Sequence, residues 1–191
     1  VGTASLRCLS CHDGSVGVGR TVGLGTLQMT GAFRANMGAQ LQGSHPFSMQ
    51  PQLKDDATLV STLVASHTTK DATVSLVENN IECPTCHDVH NQYKDLRSPK
   101  FLVRDNAGSG LCFACHDVSA RTVGGINNSL TAWPSSAHAL STIAVAPKAQ
   151  LGGYSTVNEF ACSNCHRSHN ALGMGLLRKN PNLPANVDET S

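Results

Sequence analysis

All eight cysteines of the chain fall into four copies of one pentapeptide, C-x-x-C-H. Two thiols at this spacing can add to the two vinyl groups of a haem, and the adjoining imidazole can then bind the iron from the proximal side. The sequence therefore predicts four covalently bound haem c groups. The attachment residues are Cys8, Cys11, Cys83, Cys86, Cys112, Cys115, Cys162 and Cys165, and the proximal iron ligands are His12, His87, His116 and His166.

Two other uses of paired cysteines compete with this interpretation. A disulfide framework suits a secreted chain with an even number of cysteines, but it does not require a histidine directly after every pair. Zinc sites also use C-x-x-C, yet their histidines usually lie farther from the cysteines. Four complete motifs without a leftover cysteine favour haem.

The motifs are part of a longer repeat. Each half of the chain contains an isolated C-x-x-C-H, then a lone histidine, then C-x-x-C-H-x-x-H-N, and finally an apolar segment that ends in arginine. We expect two two-haem units, at about residues 1–105 and 106–180, followed by a polar tail at 181–191. The first unit is the longer one, and we place its insertion around residues 50–80.

The repeat also sorts the five histidines outside the motifs. Four of them occupy matching places in the two halves and are the expected distal iron ligands: His45, His90, His138 and His169. His67 lies within the insertion, has no counterpart and is expected to be spare. Methionine is a weaker alternative as a ligand, because Met in irregular segments more often fills gaps in packing; the candidates are Met29, Met37, Met49 and Met174.

The three-residue spacing between His87 and His90 restricts their use. On a helical turn, residues three apart lie on one face, with Cβ atoms about 5–6 Å apart. Two trans ligands must approach one iron from opposite sides. His90 is therefore expected to serve a different haem from His87, and His169 a different haem from His166.

The elements that position these residues are expected to be short. Aromatic residues make up 4% of the chain, so the polypeptide alone would form a thin core. Four large, mostly apolar porphyrins would replace a conventional core. We therefore expect one tetrahaem domain of mostly irregular chain, with short helices at the haem motifs and few strands.

Composition excludes several classes of partner. The formal net charge is +1, so attraction of nucleic acid or of a membrane surface by bulk charge is not expected. The chain contains no run of about 20 apolar residues, which is the length that a membrane-spanning helix would need. The chain begins at Val1 without a leader, and we expect a mature, soluble product. Two histidine ligands leave no open position on the iron, so catalysis is not expected either.

These motifs resemble those of the doubled C-x-x-C-H multihaem cytochromes. The resemblance rests on C-L-S-C-H-D-G from Cys8, S-H-P around His45, C-P-T-C-H-D-V-H-N from Cys83 and L-C-F-A-C-H from Leu111, and it covers roughly residues 5–178. Within that group, a tetrahaem chain of this size resembles the outer-surface cytochromes that polymerise into extracellular filaments, the nanowires of metal-reducing bacteria.

The resemblance implies a homopolymer at the cell surface or outside the cell, with external electron acceptors or redox proteins as partners. In such filaments one haem typically receives its second ligand across the subunit boundary, and any of the four distal candidates could be that ligand here. The same motifs also suit a discrete periplasmic electron shuttle. A haem enzyme or sensor with one labile distal ligand is a further alternative.

Overall fold

The computed structural model describes residues 1–13, 37–38, 40–52, 59–90, 100–117, 136–144, 156–172 and 174–177. The predicted tail at 181–191 and Met29 lie outside these ranges. The α-helices are α1 (Thr3–His12), α2 (Ser61–Ser66), α3 (Cys83–Cys86), α4 (Gly110–Phe113), α5 (Ala137–Leu140) and α6 (Val157–Phe160). Single 3₁₀ turns lie at Leu41–Gly43, Ala107–Ser109, Ala161–Asn164 and Met174–Leu176.

Extended pairing within the described ranges consists of isolated β-bridges rather than strands. Each C-x-x-C-H motif contains part of a helix or 3₁₀ turn, and the segments between the motifs are largely irregular. The predicted fold class, an irregular chain with short helices at the haem motifs and few strands, is therefore confirmed.

The α3 turn shows how the sequence forms such a short helix. Pro84 lies in the first turn, where its missing N–H is not needed for helical hydrogen bonding. The N–H of Glu82 donates to the hydroxyl of Thr85 over 3.0 Å, as part of a capping box in which Glu82 is the N-cap. Both side chains are buried. The helix ends at Cys86 because His87 is extended, with φ −121° and ψ 137°.

Contacts divide the chain into two compact units. The first comprises Val1–Ser48 and Cys165–Ser191, and the second comprises Met49–Asn164. This partition of the polypeptide differs from the two consecutive halves of the sequence repeat. Grouping of the haems into two pairs is a separate property and stays a prediction.

The second unit has a small apolar core. Val74, Val103 and Ala114 are buried together, and Leu111 and Cys115 pack against them. Larger apolar side chains remain exposed in both units, including Leu6 and Leu172 in the first and Val89, Leu140 and Ile143 in the second.

The predicted insertion at residues 50–80 is an integral part of the second unit. Lys70 donates its backbone N–H to the carbonyl of Ala114 over 2.8 Å, and its side chain pairs with Asp117 at 2.7 Å. Asp71 forms an ion pair with Arg104. The insertion is thereby attached to both ends of the segment that contains the third haem motif.

Candidate haem sites

The first motif lies on α1, a helix of ten residues. Cys8 and Cys11 are three positions apart and therefore share a face of the helix. His12 is the last helical residue, and its carbonyl oxygen accepts a 2.7 Å hydrogen bond from the N–H of Met37. The helix thus presents both sulfurs along one side, as attachment to one porphyrin edge requires.

The second motif combines the α3 turn with a segment farther along the chain. After Cys86, His87 forms a β-bridge with Leu102. The imidazole Nδ1 of His87 lies 2.9 Å from the carbonyl oxygen of Lys100, and the N–H of Asp88 donates to the carbonyl of Phe101 over 2.6 Å. The proximal histidine is therefore held through both its backbone and its ring.

The fourth motif has the same arrangement. His166 forms a bridge with Leu177, and its Nδ1 lies 2.8 Å from the carbonyl oxygen of Gly175. The N–H of Arg167 donates to the carbonyl of Leu176 over 2.8 Å. The same three contacts therefore recur in the same order at two motifs.

These contacts match the apolar segments of the sequence repeat. Phe101 and Leu176 occupy equivalent places, and both have a left-handed backbone, with φ of 57° and 60°. The sequence indicated that the segments correspond, but it did not indicate what they do. The carbonyl groups of Phe101 and Leu176 accept hydrogen bonds from the residues that follow the proximal histidines, and the residues directly before them, Lys100 and Gly175, place their carbonyl oxygens beside the histidine rings.

The third motif uses the insertion instead. Its His116 forms a bridge with Leu59, which precedes α2. The N–H of Val60 donates to the carbonyl of Cys115 over 2.8 Å. The partner of this motif therefore lies earlier in the chain, whereas the second and fourth motifs pair with segments that follow them.

Thiols from three motifs are close to one another in the second unit. Burial raises the pKa of the Cys86 thiol to about 12, and the nearby thiols of Cys115 and Cys83 add to the rise. Burial also raises the pKa of Cys115 to about 11. The pKa of the Cys112 thiol is raised first by a hydrogen bond with the Cys162 thiol and, to a smaller extent, by burial. The thiols of Cys86, Cys112 and Cys115 are therefore protonated at neutral pH until they form thioethers.

The ring orientation of three histidines fits iron coordination. Nδ1 lies within hydrogen-bond distance of a carbonyl in His87 and His166, and in His45, where the carbonyl of Pro46 is 3.0 Å away. A carbonyl can only accept, so Nδ1 carries the hydrogen and Nε2 keeps its lone pair. Metal-bound histidines commonly have this outer hydrogen bond, which fixes the ring and makes the other nitrogen more basic. The residues present thus fit a haem.

Two distal candidates lie near each other in the first unit. The N–H of His45 donates to the carbonyl of Ser168 over 2.7 Å, directly beside His169 in the chain. Ala171 donates its N–H to the carbonyl of Gly43 over 2.8 Å. The segment around His45 is therefore held against the segment that follows the fourth motif.

The other two distal candidates lie in the second unit and are exposed. His90 donates its backbone N–H to a carboxylate oxygen of Asp88 over 3.1 Å. His138 lies on α5, whose N-cap Ser136 accepts a 3.1 Å hydrogen bond from the N–H of Ala139. The assignment of these four histidines to iron stays a prediction.

The expected helical spacing between proximal and distal histidines is wrong. The α3 helix ends at Cys86, and His87 to His90 pass through an extended residue and a turn. The pairing of His87 with Leu102 draws the chain out of the helix. The length of the chain between the two histidines, rather than a helical turn, now limits how they can be used. Three residues span at most about 10–11 Å, which is too short for the chain to pass around a porphyrin edge. Separate haems for His87 and His90 remain the prediction.

His67 has an unusual environment for a spare histidine. It ends α2 with φ 55°, a left-handed backbone that is uncommon for a residue with a Cβ. Its Nδ1 is buried and has no hydrogen-bond partner. Leaving a buried polar atom unpaired costs about 1–3 kcal/mol. A group outside the polypeptide can satisfy this nitrogen, so His67 also fits a place beside a cofactor.

Neither a disulfide framework nor a zinc cluster is formed by the cysteines in the described part of the chain. No two of the eight are joined in a disulfide. Among the described residues, which include every cysteine and histidine, no group of three or more His, Cys, Asp or Glu side chains is arranged to hold a metal ion. A four-ligand zinc site requires such a group, whereas a haem supplies four nitrogens of its own.

Comparison with known proteins agrees with the motif. The family model for the doubled CXXCH motif matches residues 76–121, which contain the second and third motifs. Searches of curated proteins and of solved structures gave no match. In the described part of the chain, the helices are too short or too polar to cross a membrane. The motifs indicate covalent binding of haem c, and the doubled-motif match supports a multihaem c-type cytochrome that transfers electrons.

Proposed function

We propose that the chain carries four haem c groups, each with two histidine ligands, and transfers electrons between them. The observation that carries this proposal is the orientation of His87 and His166, whose Nδ1 atoms bind carbonyls and whose Nε2 atoms are thereby left for iron. A bound haem supplies one-electron chemistry through its ferric and ferrous states. The chain attaches each porphyrin edge, fixes the proximal ring and supplies a second nitrogen.

The number and ligation of the haems can be measured on the purified holoprotein. We expect the intact mass to exceed that of the polypeptide by four haems. We also expect low-spin spectra in both redox states, with no change on addition of carbon monoxide to the reduced protein. Fewer than four haems, or a carbon monoxide shift, would contradict the proposal. The latter result would favour the haem enzyme or sensor.

We further propose that copies of the chain assemble into an extracellular filament through which electrons pass from subunit to subunit. The resemblance to outer-surface cytochromes supports this role. So do the exposed apolar side chains of both units, such as Leu6, Leu140 and Ile143, which a haem or a neighbouring copy would cover. External acceptors or other redox proteins would then receive the electrons.

Negative-stain electron microscopy tests the filament directly. Uniform filaments of the purified holoprotein are the expected result. Only monodisperse particles of the size of one chain would contradict assembly and would favour the discrete periplasmic shuttle. Because the haem count is measured on the same sample, loss of the filament proposal leaves the electron-transfer proposal intact.

A further inference from the structure

Ser109 is the residue that connects the third and fourth haem motifs. Its side chain is fully buried at the junction between the turn Ala107–Ser109 and α4. Its Oγ accepts a 2.8 Å hydrogen bond from the backbone N–H of Cys162. It is also hydrogen-bonded to the thiol of Cys112, which in turn is hydrogen-bonded to the thiol of Cys162. The hydroxyl of Ser109 therefore contacts one attachment residue of the third motif and one of the fourth.

The backbone of Ser109 indicates that the hydroxyl is needed. Its φ of 63° and ψ of 33° are left-handed, a conformation that glycine adopts freely and that is unfavourable for a residue with a Cβ. A hydroxyl can accept and donate at once, as these two contacts require. The contacts therefore offset a backbone conformation that glycine would adopt without cost.

The two contacts of Ser109 survive haem attachment, whereas the hydrogen bond between the two thiols is lost because a thioether sulfur carries no hydrogen. The N–H of Cys162 is not altered when the side chain becomes a thioether, and a thioether sulfur at Cys112 still accepts a weak hydrogen bond. The two sulfurs are also the atoms through which each porphyrin edge is joined to the chain. By joining the backbone of Cys162 to the sulfur of Cys112, Ser109 thus keeps one edge of each porphyrin close to the other.

We propose that Ser109 is a positioning residue that holds the attachment edges of the third and fourth haems against each other for direct electron exchange. In each exchange a ferrous iron on one motif is oxidised, a ferric iron on the other is reduced, and no bond or proton moves. This inference rests on the proposed four-haem function and adds to it which two haems exchange electrons and which residue sets their contact.

The test uses circular dichroism in the Soret band of the four-haem holoprotein, because two close haems give a paired positive and negative signal that weakens as they separate. Ser109→Gly removes the hydroxyl while suiting the left-handed backbone, and Ser109→Ala removes the hydroxyl alone. Ser66→Ala is the control, since the Ser66 hydroxyl donates only to Thr62 and Thr68 within its own segment. The double variant Cys162→Ala/Cys165→Ala identifies the part of the signal that depends on the fourth haem.

We expect both Ser109 variants to keep four haems and to lose the part of the signal that disappears with the fourth haem. Ser66→Ala should match the wild type. In the Cys162→Ala/Cys165→Ala background, Ser109→Gly should produce no further loss.

Three results would overturn the inference. An unchanged signal in Ser109→Gly would show that the hydroxyl does not set the contact. A further loss without the fourth haem would place its effect elsewhere. Loss of a haem from Ser109→Gly would assign Ser109 to attachment instead. Fewer than four haems in the wild type would instead contradict the proposed function, so the two failures are distinguishable.

Discussion

The Nδ1 atom of His166 lies 2.8 Å from the carbonyl oxygen of Gly175. Since the carbonyl can only accept, this contact fixes the hydrogen on Nδ1 and leaves Nε2 as the nitrogen that can bind iron. His87 has the same relationship with Lys100, at 2.9 Å. In both motifs, a backbone group from a later segment therefore decides which nitrogen the proximal ring offers.

This relationship predicts the effect of replacing Gly175 by valine. Gly175 has φ 66°, and among the described residues no atom beyond its two chain neighbours lies within 4 Å of a Cβ added there. A β-branched residue is strongly disfavoured in this conformation, so Gly175→Val should rotate the peptide and move its carbonyl away from His166. The ring then becomes less basic, which weakens binding of ferric iron. We expect the midpoint potential of one haem to rise in a redox titration.

Gly38→Val is the matched control. Gly38 also has φ 66°, and the nearest atom to an added Cβ is the backbone nitrogen of Gln40 at 3.9 Å. Both variants carry the same backbone strain, of about 1–2 kcal/mol. Equal shifts of potential in the two variants would show that strain, rather than the hydrogen bond to His166, is responsible.

Replacing His90 tests the distal ligand set. His90→Ala should convert one haem to the high-spin form, because the iron loses one of its two histidine ligands. Added imidazole should restore the low-spin spectrum, since the small molecule can enter the vacated position. Electron paramagnetic resonance of the oxidised protein measures both changes.

His67→Ala accompanies this measurement. If His67 does not bind iron, its removal should leave all four haems low-spin. A high-spin haem in His67→Ala that imidazole converts back would show that His67 is a ligand. The distal set of four would then have to be revised.

Local patterns predicted the haem motifs and their short helices because the chemistry and the turn lie within five residues. The sequence repeat also matched the segments that hold His87 and His166. The prediction that His87 and His90 lie on a helical turn was wrong, because His87 forms a β-bridge with Leu102, fifteen residues farther along the chain. Local spacing contains no information on such a partner.

Local sequence patterns did not predict the contacts of the third motif either. Val60 and Cys115 are fifty-five residues apart and lie in segments without a shared motif. Ser109 resembles any other serine in the sequence, and only its contact with Cys162 shows its place between two motifs. Pairing over such separations depends on packing of the whole unit.

The pairing around His45 predicts that Gly43 does not tolerate a side chain. A Cβ added at Gly43 would clash with the carbonyl oxygen of Ala171 and would lie 2.8 Å from its nitrogen. Both atoms belong to the backbone, so the segments must move apart and the hydrogen bond from His45 to Ser168 is lost. We expect Gly43→Ala to lower the free energy of unfolding by about 1–3 kcal/mol, the usual cost of overpacking.

Chemical denaturation followed by haem absorbance measures this loss. Ala171→Gly is the control, because it leaves the peptide contact intact and should cost about 1 kcal/mol or less. We also expect Gly43→Ala to show a partial high-spin signal, since His45 moves with its segment. A Gly43→Ala protein as stable as the wild type would contradict the close packing of the two segments.

The contacts of the insertion should make the free energy of unfolding of the second unit depend on pH. The carboxylate of Asp71 accepts hydrogen bonds from the Thr73 hydroxyl at 2.6 Å and from the Thr73 N–H at 2.8 Å, and it pairs with Arg104. The Thr73 hydroxyl, the Thr73 N–H and then Arg104 lower the pKa of Asp71 below its ordinary value of 3.8. The folded state therefore favours the charged carboxylate.

Because the pKa is lower in the folded state, this contribution is fully present above pH 3.8 and is lost as the pH falls through the folded value. Asp71→Asn should be less stable than the wild type at pH 7. The difference should shrink as the pH falls below 3.8, where the unfolded chain binds the proton first, and it should be lost once the pH lies below the lowered pKa of the folded protein. Thermal unfolding at a series of pH values measures both effects.

Asp117→Asn provides the comparison, because Asp117 also pairs with a residue of the insertion. Its partner is Lys70, and the two side chains are 40% and 49% exposed. An ion pair this exposed contributes about 0–1 kcal/mol. If the two variants lost equal stability at pH 7, the hydrogen bonds and the Arg104 pair of Asp71 would add nothing, and the docking of the insertion would depend on its backbone contacts with the third motif.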